Sequence, residues 1–175
     1  MTRATWGSNF LNAVANWDSA VENAYQAWAA TLNNGGRIWI AEGGQSDFSA
    51  AVVRLVKARL SSVNTRTRIH VVQHSNWNQN QADQGDLNYL RAETNYKKID
   101  DGNIENQTAD LSERDANFVS RARQSKFGSA WDVAFDYLDP IGSKLDFSDT
   151  VELLEIMDIG TNQVADAADF ADLFF

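Results

Sequence analysis

Arg37-Ile38-Trp39-Ile40-Ala41 runs directly into Glu42-Gly43-Gly44-Gln45-Ser46-Asp47, and this stretch decides the fold. A short, apolar, partly β-branched run closed by a glycine turn reads as a buried strand. Beyond the turn, Phe48, Val52, Leu55, Val56 and Leu60 recur at helical spacing, which predicts a helix from Ser46 or Asp47 to about Ser61. The pattern then returns. Ile69-His70-Val71-Val72-Gln73 is a second strand, followed by a polar loop, His74-Ser75-Asn76-Trp77-Asn78-Gln79-Asn80, and a short helix over 83–93 carrying Leu87 and Leu90. Tyr96-Lys97-Lys98-Ile99-Asp100 is a third strand ending in Asp101-Gly102-Asn103. Strands spaced roughly 30 residues apart with helical segments between them have the rhythm of a parallel sheet with right-handed crossovers.

On the N-terminal side, Phe10, Val14, Trp17, Val21, Tyr25, Trp28 and Leu32 line one face of a helix expected over 8–32, with Ser8 as cap and Asn33-Asn34-Gly35-Gly36 as stop. The last third reads as helical. Its segments are a polar, weakly periodic 112–125; 127–138, with Phe127, Trp131, Phe135 and Leu138, broken by Pro140; 148–158, with Val151, Leu154 and Met157; and 163–174, ending in Phe170, Leu173 and Phe174. The expected fold is α/β: a Rossmann-like, three-layer parallel sheet with a helical C-terminal third, in a single domain over 1–175. Three strands make a thin sheet, and parallel sheets normally have their faces and edges covered. Further strands or a second chain are therefore expected, which points to a homo-oligomer or a missing partner chain. Leu173-Phe174-Phe175 either contributes to such a contact or folds back on the chain's own core.

The 175 residues are 43% hydrophobic, with six Trp, nine Phe and four Tyr, enough for a real core. Fifteen basic against 24 acidic side chains leave a net charge of −9, which argues against a nucleic-acid partner. No apolar run approaches the ~18 residues of a membrane span, and Met1-Thr2-Arg3-Ala4-Thr5-Trp6 has no apolar signal core, so a cytoplasmic protein is expected. With no cysteine, disulfides, thiol catalysis and cysteine metal sites are excluded. With His70 and His74 alone, so is any site needing three histidines.

Open parallel sheets bind ligands outside the carboxyl ends of their strands. All three ends here are polar: Glu42-Gly43-Gly44-Gln45-Ser46-Asp47, His74-Ser75-Asn76-Trp77-Asn78 and Asp100-Asp101-Gly102-Asn103. Gly43 and Gly44 permit close backbone approach to a ligand; the competing reading is a tight turn with Ser46 or Asp47 as helix cap. No dinucleotide or P-loop glycine motif is present. His74 is a candidate general base or ligand contact, or a loop histidine bonded to nearby backbone. His70, within a strand, is expected to be structural. Asn76 and Asn78 flank Trp77, an arrangement that binds hydroxyls while the ring stacks on a sugar or base, or else an Asx-rich turn with Trp77 in the core. Asp101, with Asp100, and Asp146 and Asp149, in Asp146-Phe147-Ser148-Asp149, are candidate carboxylates for Ca²⁺ or for activating water. Helix capping by Ser148 with Asp149 in the first turn is the alternative for the latter pair.

Taken in order, Ile38 to Leu60, the HSNWN loop over 74–78, Ile99-Asp100-Asp101-Gly102-Asn103 and Leu145 to Leu154 (LDFSDTVELL) resemble the C-terminal part of nucleoside-hydrolase-like proteins, in particular bacterial relatives with an HSxWN loop. The resemblance implies a doubly wound α/β domain that cleaves the N-glycosidic bond of nucleosides with water activated by Ca²⁺. It implies Asp146 or Asp149 as the late metal carboxylate, Asn76 or Asn78 as the sugar contact, and Glu42, Gln45 and His74 as pocket lining; Gly43, Gly44, Trp77, Asp101 and Asn103, read from the strand ends themselves, are the further candidate substrate contacts. The chain departs from the family where the N-terminal aspartate cluster should be: the segment before the first strand offers Trp17-Asp18 and no acidic loop. Two functions therefore compete, a hydrolase of a nucleoside or related glycoside, and a non-catalytic oligomeric binding or assembly domain that keeps the fold. A shortened form of a larger nucleoside-hydrolase-like fold accommodates either.

Overall fold

The computed structural model describes residues 13–103, 111, 116–138 and 146–175. The chain divides into two compact units, Thr2–Ile99 and Asp100–Phe175.

The first unit is mixed α/β. Its elements run α1 (Trp17–Asn33), β1 (Ile38–Ala41), α2 (Asp47–Arg59), α3 (Thr65–Arg68), β2 (Ile69–His74), α4 (Asn76–Gln81), α5 (Gln84–Glu93) and β3 (Asn95–Ile99). The strands form one sheet in the order β1-β2-β3, with both pairings parallel, as the spacing predicts. Ile38 lies opposite Ile69 and Ile40 opposite Val71, while Val71 lies opposite Tyr96 and His74 opposite Ile99. Side chains alternate along a strand, so Ile38, Ile40, Ile69, Val71 and Tyr96 share one face. On that face lies the core: Val21, Ala24, Tyr25 and Leu32 of α1, Val52, Val53 and Val56 of α2, and Leu90 of α5, with Ile69. The opposite face carries Trp39, His70 and Asn95 in one row. The Trp39 and His70 rings stack 4.0 Å apart, and His70 Nδ1 pairs with Asn95 Nδ2 at 2.9 Å. Burial and the nearby Arg37 charge lower the His70 pKa, which suits the structural role expected of it.

Two local expectations are corrected, and one element is added. The first helix begins at Trp17, since residues 13–15 form a turn and Val14 is fully exposed; Ser8 and Phe10 lie outside the described residues. The expected loop over 74–80 is the helix α4. Ser75, at φ 66°, turns the chain out of β2 and its hydroxyl accepts from the Trp77 amide at 2.9 Å, which starts the helix. A further short helix, α3, starts where the Asn64 side chain accepts from Arg66 N at 3.1 Å.

The end of α1 is closed from a distance. Gly35, at φ 80°, stops the helix, and the Arg68 guanidinium donates to the carbonyls of Leu32 (3.2 Å) and Gly36 (2.7 Å).

The second unit contains α6 (Ala116–Gln124), α7 (Gly128–Leu138), α8 (Thr150–Ile156) and α9 (Ala167–Phe174). Phe118, Phe135 and Phe170 are buried, and their rings meet those of Trp131, Phe147 and Phe175 at centroid distances of 5.2–6.0 Å. The C-terminal Phe175 therefore folds back on its own unit, although Leu173 stays half-exposed. Phe127 and Met157, expected inward, are exposed. α9 starts later than expected, where Asp166 caps Ala168 N (2.8 Å) and Asp169 N (2.9 Å). Pro140 lies outside the described residues. Among the described residues no helix is long and apolar enough to cross a membrane.

Arg68→Ala leaves part-buried carbonyls at the end of α1 without their charged donor. The expected loss is about 1.5–3 kcal/mol in denaturant unfolding, with partial recovery in Arg68→Lys. A loss within the scatter of surface substitutions contradicts the closure.

Candidate functional site at the carboxyl edge of the sheet

Glu42 follows β1, and its amide donates to the Val72 carbonyl at 2.8 Å, which carries the strand ladder one residue past Ala41. Alternation then turns its side chain to the same face as Ile38 and Ile40, toward α2. The residue is 7% exposed, and its Oε2 has no hydrogen-bond partner among the described residues. Burial pushes the Glu42 pKa up to about 7; a hydrogen bond from Ser49 pulls against this and the Asp47 charge adds to it.

Gln73 occupies the inward position at the end of β2 and is fully buried. Its Nε2 donates to the Gly44 carbonyl at 2.6 Å, and its Oε1 accepts from Tyr96 (2.5 Å) and Ser46 (3.5 Å). The Tyr96 hydroxyl in turn accepts from Gln79 Nε2 at 2.7 Å, and Gln79 Oε1 accepts from Arg91 at 3.0 Å. Burial raises the Tyr96 pKa, opposed by Gln79 and Arg91, with the Glu42 charge adding to the rise.

The glycine turn departs from the capping alternative. Ser46 makes no side-chain cap bond to α2 and turns to Gln73 instead, and Asp47 Oδ1 accepts from the Asp83 amide at 3.0 Å. The left-handed glycine of the described residues is Gly35, so neither Gly43 nor Gly44 is needed for such a conformation. A Cβ on Gly44 would meet nothing within 4 Å. Gly43 and Gln45 are exposed.

His74 is buried, and alternation directs it to the face opposite Gln73. Gln73, not His74, is thus the neighbour that β2 gives Glu42. On α4, positions 76 and 78 lie about 200° apart around the axis. Asn76 is accordingly exposed, its Oδ1 accepting from Lys98 Nζ, while Asn78 is buried, so the two amides do not flank one ligand as a loop would present them. Trp77 is 64% exposed, which removes the alternative of a core tryptophan.

In the second unit, Asp101 Oδ1 accepts from Asn103 N at 3.0 Å, and Asn103 Nδ2 donates to Ser148 Oγ at 3.1 Å. Gly102 is buried so closely that a Cβ would lie 2.7 Å from the Ser148 carbonyl. Residues 101–103 and 146–151 are therefore brought together. Asp146 Oδ1 accepts from Ser148 N at 3.0 Å, and Asp149 precedes α8 without a side-chain cap bond, so Ser148 is not the cap. Ca²⁺ takes about six to eight oxygen ligands. Asp146 and Asp149 supply two carboxylates, one oxygen already engaged, so this turn does not by itself make up a calcium site. Glu152, fully buried on α8, is a charged residue that periodicity alone passed over.

Gln73, Tyr96 and Gln79 were likewise missed by sequence reasoning. In the structure Gln73 shares the face of Ile69 and Val71, a parity that the uninterrupted burial from Val71 to His74 hides in the sequence.

Because folding favours its protonated form, Glu42 contributes stability that is full below the usual value of 4.5 and lost as pH rises through about 7. The difference is on the order of 3 kcal/mol. Glu42→Gln is expected to match the parent near pH 5 and to become progressively more stable than it up to pH 8, read by thermal unfolding. A stability difference constant across that range contradicts the assignment. Comparison of the chain with models of known protein families, with curated proteins and with solved structures gives no match.

Proposed function

We propose that the protein binds a sugar or nucleoside at the carboxyl edge of its parallel sheet and hydrolyses the N-glycosidic bond, as a Rossmann-like, nucleoside-hydrolase-like enzyme with Glu42 as its proton-handling group. The observation that supports this reading is the buried Glu42 carboxyl, with one oxygen unbonded among the described residues, beside the Gly43-Gly44 turn. Ligands of open parallel sheets enter at that edge. A group with pKa near neutrality is suited to general base work. In the proposed step, a water oxygen bonds to the anomeric carbon and its proton passes to Glu42. The carbon–nitrogen bond breaks with its electron pair leaving on the base, which takes a proton from solvent. Trp77, Gln45 and Asn78 are the proposed ligand contacts. Asp146 and Asp149, in the second unit, would bind Ca²⁺ only with further ligands.

A second reading, a non-catalytic binding domain working as a homo-oligomer or with a partner chain, is favoured by one observation. The Asp146–Asp149 turn falls short of a calcium site, with one Asp146 oxygen already engaged by Ser148 N. In that case the partner would supply the missing carboxylates, in the cytoplasm.

Release of free ribose from a panel of nucleosides, with and without added Ca²⁺, decides between them. Hydrolysis that rises with pH through about 7 and falls at least 100-fold in Glu42→Gln is expected. Nucleoside binding by calorimetry without ribose release supports the binding domain, and neither binding nor release contradicts both.

A further inference from the structure

The chain of hydrogen bonds that ends on Gly44 has a fixed direction. Arginine can only donate, so Arg91 requires the oxygen of the Gln79 amide and leaves its nitrogen to donate to Tyr96. Having accepted that bond, the Tyr96 hydroxyl directs its own proton to Gln73 Oε1. Gln73 is thereby left with its nitrogen facing the Gly44 carbonyl. Four elements take part: α5 through Arg91, α4 through Gln79, β3 through Tyr96 and β2 through Gln73. They converge on the turn that leaves β1, two residues beyond Glu42. Arg91 also lies over the Tyr96 ring, 5.7 Å from its centroid, which holds the ring in place from outside.

We infer that Tyr96 and Gln73 are positioning residues, which hold the 43–46 turn closed over the Glu42 carboxyl through a relay whose polarity is set by the exposed Arg91. A polar chain with every orientation determined, running from exposed Arg91 to fully buried Gln73, is rigid, whereas loss of one member lets the amides beyond it turn over. The groups that face Glu42 are Ser49 and Asp47 of α2 and Tyr96 of β3. None of them is altered in charge by deleting the Tyr96 hydroxyl at neutral pH. A change in Glu42 on that deletion therefore reports opening of the turn to water.

The test is a pH titration of the Glu42 side-chain carboxyl by carbon NMR on the free protein, in Tyr96→Phe, Arg91→Met and Arg91→Lys. Tyr96→Phe keeps the ring beneath Arg91 and breaks the relay in its middle. The midpoint is expected to fall from about 7 toward the usual 4.5, by about one pH unit or more. Arg91→Met is expected to shift it the same way by less, and Arg91→Lys, also a pure donor, to restore it. Should Tyr96→Phe fail to fold, the two Arg91 variants carry the test alone. A Glu42 midpoint unmoved in a folded Tyr96→Phe, or equal in Arg91→Met and Arg91→Lys, overturns the relay. Since no glycoside is involved, failure of the hydrolase reading leaves this result standing.

Discussion

One backbone hydrogen bond governs the site. The Glu42 amide donates to Val72, so the β1–β2 ladder does not end at Ala41. A residue still paired in a ladder has its side-chain direction set by alternation, and Glu42 has the parity of Ile38 and Ile40. A carboxyl group is thereby placed among the core side chains of α2, where Ser49 bonds it and its Oε2 has no partner among the described residues. Isolated burial of a charge is expensive, and the group responds by holding its proton to near neutrality.

The polar residues around Glu42 follow from the same geometry. Gln73 and Tyr96 have the inward parity on their strands, Gln73 fully buried and Tyr96 partly so. They satisfy each other, then Gly44 on one side and Gln79 on the other. The apolar part of that sheet face packs on α1, α2 and α5, while its carboxyl end is occupied by this polar row. The face is thus apolar along most of its length and polar at its carboxyl edge.

The strand runs, their direction and the crossover helices were legible because Ile38, Ile40, Ile69, Val71 and Val72 are β-branched and apolar and their short runs are separated by helical spacing and turn residues. The α4 helix was not, because Trp77 is its one apolar residue, which leaves no helical period to read, and it is started by Ser75 at positive φ, which sequence seldom signals for serine. Val14 and Phe127 matched a helical period yet lie exposed, since periodicity describes a face without saying whether anything packs on it. Glu42 was legible as a pocket residue from its place after β1. Its partners Gln73 and Tyr96 were not, because Val71 and Val72 are both buried and the second strand therefore shows no clean alternation from which to read the parity of Gln73.

The central claim is that the sheet ladder forces a carboxyl group inward and that burial keeps it protonated near neutrality. The most direct measurement is the ionisation midpoint of the Glu42 carboxyl in the unmodified protein, followed by carbon NMR. A midpoint near 7 is what the geometry requires. One in the range of an ordinary solvated glutamate, near 4.5, would mean that the side chain faces water, and the site described here would not exist.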